Sequence, residues 1–230
     1  MQRLEIRRFA TRAELDAALA ARLEEIIAAA AGGTAAIMLS GGHTPLPAYR
    51  LLADRLQQHA PDTGGLRLLF SDERYVPAES ESSNFHAARP LLDALALPGE
   101  RVLRVRTELP LEQAARDYET RLAGLLDAGV RIRLGLLGLG ADGHTASLFR
   151  SEDLERARGR WAIAVRRPDG LSGVTVTPEF LTRIDEPLFV VAGGDKRQAI
   201  AGLERSDEAV VAAQAVRGCP RVRLWVQGED

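Results

Sequence analysis

Apolar runs of strand length recur along this chain, and polar or glycine-rich turns separate them. The period of the pattern changes between them from two or continuous to a helical one, which predicts strands alternating with helices. Gln2 to Phe9 alternates polar and apolar residues and reads as a strand. Thr11-Arg12-Ala13-Glu14 has the form of a capping box and opens a long helix to about Ala31, which Gly32-Gly33 ends. Ala35–Leu39 is a buried strand. It stops at Ser40-Gly41-Gly42-His43-Thr44, and Pro45 begins a helix through Leu56. Leu66–Phe70 is the next strand, followed by the charged turn Asp72-Glu73-Arg74. Asn84 opens a helix to Leu95, Val102–Val105 is a further strand, and Pro110 starts a helix to about Asp127. Ile132–Leu137, Trp161–Val165, Val174–Thr177, Leu188–Ala192 and Arg221–Val226 complete the strands. A helix is expected after Gly193-Gly194-Asp195-Lys196. This alternation predicts an α/β fold: one doubly wound, mostly parallel sheet flanked by helices, over residues 1–230 as a single domain.

The turns at 40–44, 71–74, 138–144 and 193–196 each follow a buried strand. Carboxyl ends of parallel strands share one edge of a sheet, so these turns are expected to line one crevice. The richest of them runs from Leu134 to Phe149, L-G-L-L-G-L-G-A-D-G-H-T-A-S-L-F. It places Gly138, Gly140 and Gly143 around one carboxylate, Asp142, and one imidazole, His144.

Composition narrows the classes. The chain of 230 residues has 46% hydrophobic residues, enough for a large core, and a net charge of −2. No strong field for nucleic acid or an anionic membrane is expected from that charge. The single cysteine, Cys219, excludes an intramolecular disulfide framework. No apolar run has the length of a membrane span, and the start Met1-Gln2-Arg3-Leu4-Glu5 lacks a signal-peptide core, so a cytoplasmic protein is expected.

The turns carry recognisable chemistry. Ser40-Gly41-Gly42-His43-Thr44 leads into a helix, and amides free of bulky side chains at a helix start attract phosphate. Its spacing is not that of a P-loop. Arg74 offers a planar fork for phosphate or carboxylate, with Asp72 beside it on the same turn. Lys196, at a helix start after glycines, suits a phosphate clamp. Gly138-x-Gly140-x-x-Gly143 matches the dinucleotide fingerprint in letters, but Asp142 inside that turn opposes a pyrophosphate. Among His43, His59, His86 and His144, only His144 follows Asp-Gly at a strand end. An imidazole titrates near neutrality and suits general-base work. No metal-ligand spacing links His43, His144 and Asp72, so no metal is expected.

Together these motifs resemble the 6-phosphogluconolactonases, which share a superfamily with glucosamine-6-phosphate deaminases. The resemblance rests on S-G-G-x-T-P at Ser40–Pro45, D-E-R at Asp72–Arg74, S-N-F at Ser83–Phe85 and G-L-G-x-D-G-H-T-A-S-L-F at Gly138–Phe149. In the deaminases isoleucine and an A-F-N-E-P run follow the D-G-H. Here Thr145-Ala146-Ser147-Leu148-Phe149 follows, on the lactonase pattern. The resemblance implies hydrolysis of 6-phospho-D-glucono-1,5-lactone to 6-phosphogluconate in the oxidative pentose phosphate pathway, without metal or organic cofactor. It implies that His144 is the base that activates water and that Arg74 lies close to the substrate. It implies further that Ser40, Gly41, Gly42, Thr44, Asp72 and Lys196 bind substrate, the loop and lysine on the phosphate side. Asp142 either orients His144 or binds a sugar hydroxyl. His43, Arg150 and Gly173 stand where that family usually has serine, proline and arginine, and Arg166 or Arg167 is a substitute for the last. The partner is a small sugar-phosphate lactone rather than nucleic acid or membrane, and a monomer or weak homo-oligomer is expected. A deaminase or isomerase of the same fold and a non-catalytic sugar-phosphate sensor are the alternatives.

Overall fold

In a computed structural model, residues 3–58 and 61–228 are described; His59 lies outside them. The elements follow the alternation read from the sequence. They are β1 (Arg3–Phe9), α1 (Arg12–Ala29), β2 (Ala35–Leu39), α2 (Leu46–Gln58), β3 (Leu66–Phe70), β4 (Asp72–Arg74), α3 (Asn84–Ala87), α4 (Arg89–Leu95) and β5 (Val102–Leu103). Then come α5 (Leu111–Asp127), β6 (Arg131–Leu137), α6 (Ser151–Arg156), β7 (Ala162–Arg166), β8 (Ser172–Val176), α7 (Pro178–Leu181), β9 (Pro187–Ala192), α8 (Arg197–Glu204), α9 (Val211–Ala215) and β10 (Arg221–Gln227). The capping box of α1 forms as its sequence predicts: Thr11 accepts the Glu14 amide, and Glu14 accepts the Thr11 amide in return.

Seven strands form one sheet in the order β1-β10-β9-β6-β2-β3-β5, and every pairing is parallel. The chain winds outward from β2 through β3 to β5. It then returns to the other side of β2 and winds through β6, β9 and β10. The order therefore reverses between β2 and β6, the position at which open α/β sheets hold ligands beyond their carboxyl ends.

Both faces are covered, which is why the strands read as continuous apolar runs. On one face Leu15, Leu19 and Leu23 of α1 and Tyr49 and Leu52 of α2 pack on Ile37, Leu39, Leu68 and Phe70. On the other, Tyr118 and Leu122 of α5, Phe180 of α7 and Ile200 of α8 share a core with Met38, Leu69, Phe189 and Val191. Alternate residues of one strand enter opposite cores, as the pleat requires. Two buried tyrosines finish the central strands. The Tyr49 hydroxyl donates to the Ser40 carbonyl (2.9 Å) and accepts the Ser40 amide (3.2 Å). Tyr118 does the same for Phe70, at 2.6 and 3.0 Å. Burial raises both phenols above their ordinary range, so they stay neutral donors.

Some elements differ from the sequence expectation. Asp72-Glu73-Arg74, read as a turn, is the short strand β4, and it joins β8 and β7 in a second, antiparallel sheet. Residues 167–171 between β7 and β8 are too few for a parallel crossover, so this pair closes as a hairpin. The helix expected from Asn84 to Leu95 is two helices that break at Ala88, just ahead of Pro90, which has no amide hydrogen to donate. The strand expected at Val102–Val105 ends at Leu103.

Candidate active site

The four turns meet. Ser40, Gly41, Gly42, His43, Thr44, Asp72, Arg74, Gly138, Gly140, His144 and Lys196 all line one cleft of about 180 Å³ at the carboxyl edge of the sheet. Of the catalytic and substrate-binding residues expected from sequence, all but Asp142 line the cleft, and Asp142 stands behind His144.

The turn after β6 presents the imidazole. Gly138 and Gly140 lead out of the strand, and Gly143 adopts φ +84°, a conformation that glycine takes without steric penalty. The Gly140 amide donates to the His144 carbonyl (2.9 Å) and the Gly143 amide to the Gly140 carbonyl (3.0 Å), which closes the loop. Thr145 anchors its far side by donating to the Gly138 carbonyl at 2.8 Å. Nδ1 of His144 lies 2.5 Å from Oδ1 of Asp142, and the same oxygen accepts the His144 amide at 3.2 Å. Phe149 packs against the imidazole with ring centroids 4.5 Å apart. Partial burial pushes the Asp142 carboxyl upward, but the His144 ring and amide outweigh it and hold the group below its ordinary range. Asp142 thus remains a carboxylate at neutral pH. With Nδ1 engaged, Nε2 is the ring nitrogen left for the cleft.

The loop after β2 presents amides. Gly42 has φ +80°, and no acceptor among the described residues takes the amide hydrogens of Gly41, Gly42, His43 or Thr44. A Cβ on Gly41 would overlap the Asn84 carboxamide, so the loop and that side chain require a glycine here. Lys196 reaches the same cleft from the short 3-10 turn Gly194–Lys196, ahead of α8.

β4 and the segment after it supply a rigid charged wall. Asp72 is buried and accepts hydrogen bonds from Ser71 Oγ (2.8 Å) and Ser147 Oγ (2.7 Å). Arg74 donates from Nη1 to Asn84 Oδ1 (2.8 Å) and to the Ser82 carbonyl (3.0 Å). Asn84 in turn donates from Nδ2 to the Asp72 carbonyl at 2.9 Å. Glu73 points away from the cleft and holds this arrangement from behind. Its carboxylate accepts the amides of Arg74 (2.9 Å), Asn84 (2.6 Å) and Phe85 (2.8 Å) and the Ser83 hydroxyl (3.1 Å). Burial nevertheless raises its pKa above the ordinary value.

Asn84, Ala146 and Arg167 are among the lining residues not singled out as site residues from sequence alone. Asn84 was legible only as a helix opener within Ser83-Asn84-Phe85, and the tertiary fold brings it to the cleft. Ala146 lines the cleft with φ +50°, an uncommon conformation for a residue other than glycine. Of the two arginines considered as substitutes near Gly173, Arg166 is exposed and Arg167 lines the cleft. Among the described residues no three His, Cys, Asp or Glu side chains gather to hold a metal ion, and no helix is long and apolar enough to cross a membrane.

The profile of the family described as glucosamine-6-phosphate isomerases/6-phosphogluconolactonase matches residues 10–225. The chain is 33% identical over 197 residues to the 6-phosphogluconolactonase of Thermotoga maritima, covering 84% of each chain. It is 36% identical over 185 residues to that of Synechocystis, covering 78% of this chain and 74% of the relative. The solved 6-phosphogluconolactonase of Trypanosoma brucei superposes with a TM-score of 0.83 at 27% identity, over 99% of this chain and 97% of that one. A monomeric glucosamine-6-phosphate deaminase shares the fold, with a TM-score of 0.80 at 17% identity over 97% of each chain.

Proposed function

The chain belongs to the glucosamine-6-phosphate isomerase/6-phosphogluconolactonase family, and from that premise we propose that it hydrolyses 6-phospho-D-glucono-1,5-lactone to 6-phospho-D-gluconate. It is a carboxylic ester hydrolase of the oxidative pentose phosphate pathway. The observation that carries the reading is the Asp142–His144 pair, set in one cleft with Lys196 and the unpaired amides of residues 41–44.

The chemistry follows from this arrangement. The phosphate lies against the Gly41–Thr44 amides at the start of α2 and against Lys196, where charge-assisted hydrogen bonds are strong. Anchored there, the ring presents C1 to His144. Nε2 of His144 takes a proton from water as the water oxygen bonds to C1, and the carbonyl electron pair moves onto the carbonyl oxygen. The intermediate collapses by breaking the bond from C1 to the ring oxygen. The ring oxygen takes the proton from the imidazole, which resets His144, and the new carboxylic acid gives its proton to solvent and leaves as 6-phosphogluconate. Asp142 fixes the tautomer and faces the imidazolium that forms between the steps. A base placed in this way contributes about 10²–10⁴-fold. Asp72 and Arg74 hold the sugar side of the cleft. No covalent enzyme intermediate is needed, because a δ-lactone is already an activated ester. Neither a metal nor an organic cofactor takes part. The protein works in the cytoplasm as a monomer or weak homo-oligomer, without nucleic acid or membrane partners.

The test is a rate measurement with freshly prepared lactone. Product formation is followed through oxidation of 6-phosphogluconate and corrected for spontaneous hydrolysis. A corrected rate of zero overturns the proposal. Release of ammonia from glucosamine 6-phosphate in its place would assign the deaminase chemistry of the same fold.

A further inference from the structure

The cleft holds three cationic side chains from three separate elements: Arg74, Arg167 and Lys196. Arg74 donates from Nη1 to Asn84 and to the Ser82 carbonyl, and the proposed chemistry places it on the sugar side of the cleft. Lys196 stands on the turn after β9, and the proposed chemistry places it at the phosphate. Arg167 belongs to the turn between β7 and β8. That turn is at the surface, yet only 12% of the Arg167 side chain is exposed.

The structure holds this side chain in one place. Nε donates to Asp169 Oδ2 at 3.0 Å, with Nη2 also 3.0 Å from that oxygen, and Nη1 donates to Ser147 Oγ at 2.8 Å and lies 4.0 Å from Asp72 Oδ2. Ser147 passes its own hydrogen to the buried Asp72 at 2.7 Å, so the guanidinium is tied through one hydroxyl to the floor of the cleft. The guanidinium carbon lies 5.3 Å from the centroid of Phe149, whose ring also packs against His144. One aromatic ring therefore carries both the base and this cation. The stem of Arg167 crosses Gly173: a Cβ added there would lie 3.4 Å from Arg167 Cδ and 3.0 Å from the Glu73 carbonyl. The bare backbone at 173 thus lies directly beside the Arg167 stem and against the Glu73 carbonyl.

We propose that Arg167 is a catalytic residue that binds the lactone carbonyl oxygen and stabilises the negative charge that develops there. The inference rests on the lactonase reading. A guanidinium has five N–H donors; with Nε and Nη2 turned to Asp169 and Nη1 to Ser147, one N–H on each Nη is left for a ligand. When water bonds to C1 the carbonyl pair becomes an oxyanion. A fixed cation on the same aromatic ring as the base meets that charge without reorganising. The pair returns to form the C–O double bond as the ring oxygen departs, so Arg167 neither gains nor loses a proton.

The experiment compares Arg167→Ala, Arg167→Lys and Lys196→Ala. It reads kcat and KM for the phosphorylated lactone, and the inhibition constant of glucose 6-phosphate, which has the ring and phosphate but no carbonyl at C1. Arg167→Ala is expected to lower kcat by about 10²–10³-fold, as loss of an oxyanion donor does, with the glucose 6-phosphate constant unchanged. Low-millimolar guanidinium should restore part of that kcat, which a merely structural role would not allow. Arg167→Lys keeps the stem over Gly173 and should retain an intermediate rate; it also carries the test if the alanine variant fails to fold. Lys196→Ala should show the reverse pattern, with a weakened glucose 6-phosphate constant. A normal kcat in both Arg167 variants overturns the inference, as does an Arg167→Ala defect confined to phosphate binding. Failure of the lactonase reading is separate, because the unmodified enzyme would then have no corrected rate.

Discussion

The His144 imidazole occupies the volume that a side chain on Gly140 would need. A Cβ built on Gly140 overlaps Nδ1 and Cε1 of that ring and Oδ1 of Asp142. The glycine is therefore part of the base's seat, and the Asp142–His144 contact exists because residue 140 has no side chain. Gly140→Ala should displace the pair while leaving the sheet alone. A displacement of about 1 Å is enough to cost about 10²-fold in rate. Steady-state kinetics and a thermal melt on one preparation check this: kcat falls by that order, and the melting temperature moves by no more than a few degrees.

His144→Asn keeps polarity and approximate size but removes the base. Its kcat should fall by about 10²–10⁴-fold, with product affinity nearly unchanged, because the missing interaction belongs to the transition state. Isothermal titration with 6-phosphogluconate beside the corrected turnover separates the two effects. Near-normal turnover would place the base elsewhere.

Lys196→Ala should raise KM for the phosphorylated lactone by about 10–100-fold. This corresponds to the roughly 1.5–3 kcal/mol of a hydrogen bond to a charged group. Lys196 is only half-buried at the end of a surface turn, so chemical denaturation midpoints should hardly move. If unphosphorylated gluconolactone were turned over as efficiently as the phosphorylated form by the unmodified protein, the phosphate side of the cleft would be misassigned.

Glu73 gives a pH signature. Its folded pKa lies above the ordinary value of 4.5, because burial outweighs the amides it accepts. Over the interval between those two values the folded chain binds more protons at this site than the unfolded chain, so stability is lost as pH rises through it. A glutamine does not titrate. The stability difference, unmodified protein minus Glu73→Gln, should therefore decline as pH rises from about 4.5 and level off above the raised folded value. Urea unfolding of both proteins across that range measures the trend; a difference that grew with pH would contradict the assigned environment. Two of the donors that Glu73 accepts would meet an NH2 group in the variant, so Asn84 should also loosen and turnover should drop.

Prolonged treatment with a strong chelator should leave the corrected rate unchanged. The sequence has no metal-ligand spacing, and no group of three suitable side chains gathers among the described residues. Loss of activity with recovery on adding a divalent ion would contradict the metal-free mechanism.

Much of the architecture was legible because local rules and tertiary structure agree. Ala35–Leu39 and Leu188–Ala192 are buried on both faces, so they read as unbroken apolar runs and form parallel strands. Each glycine-rich turn follows such a strand, so topology alone brings His144 and Lys196 to one cleft. What did not show was long-range. Asp72-Glu73-Arg74 is too polar to read as a strand; β4 exists because it pairs with β8, and because Ser71, Ser147, Ser83 and backbone amides satisfy its carboxylates. Nothing near Asn84 announces that its carboxamide will bridge Asp72 and Arg74 across an intervening loop. Arg167 looks like its exposed neighbour Arg166. Ser147 and Phe149, distant in sequence, hold Arg167 in the cleft.

Tyr49 and Tyr118 grip main-chain atoms, and this has an evolutionary consequence. Each holds both the amide and the carbonyl of one residue at the tip of a central strand, Ser40 and Phe70. Those bonds do not depend on which side chains the tips and the following loops carry. The foundation of the cleft is thus insulated from its furniture. Side chains in these loops that are not held by such constraints as those at Gly41 and Glu73 can therefore be exchanged by drift and selection without loosening the sheet beneath. A lineage built on this chassis can change what it recognises faster than it can change how it folds.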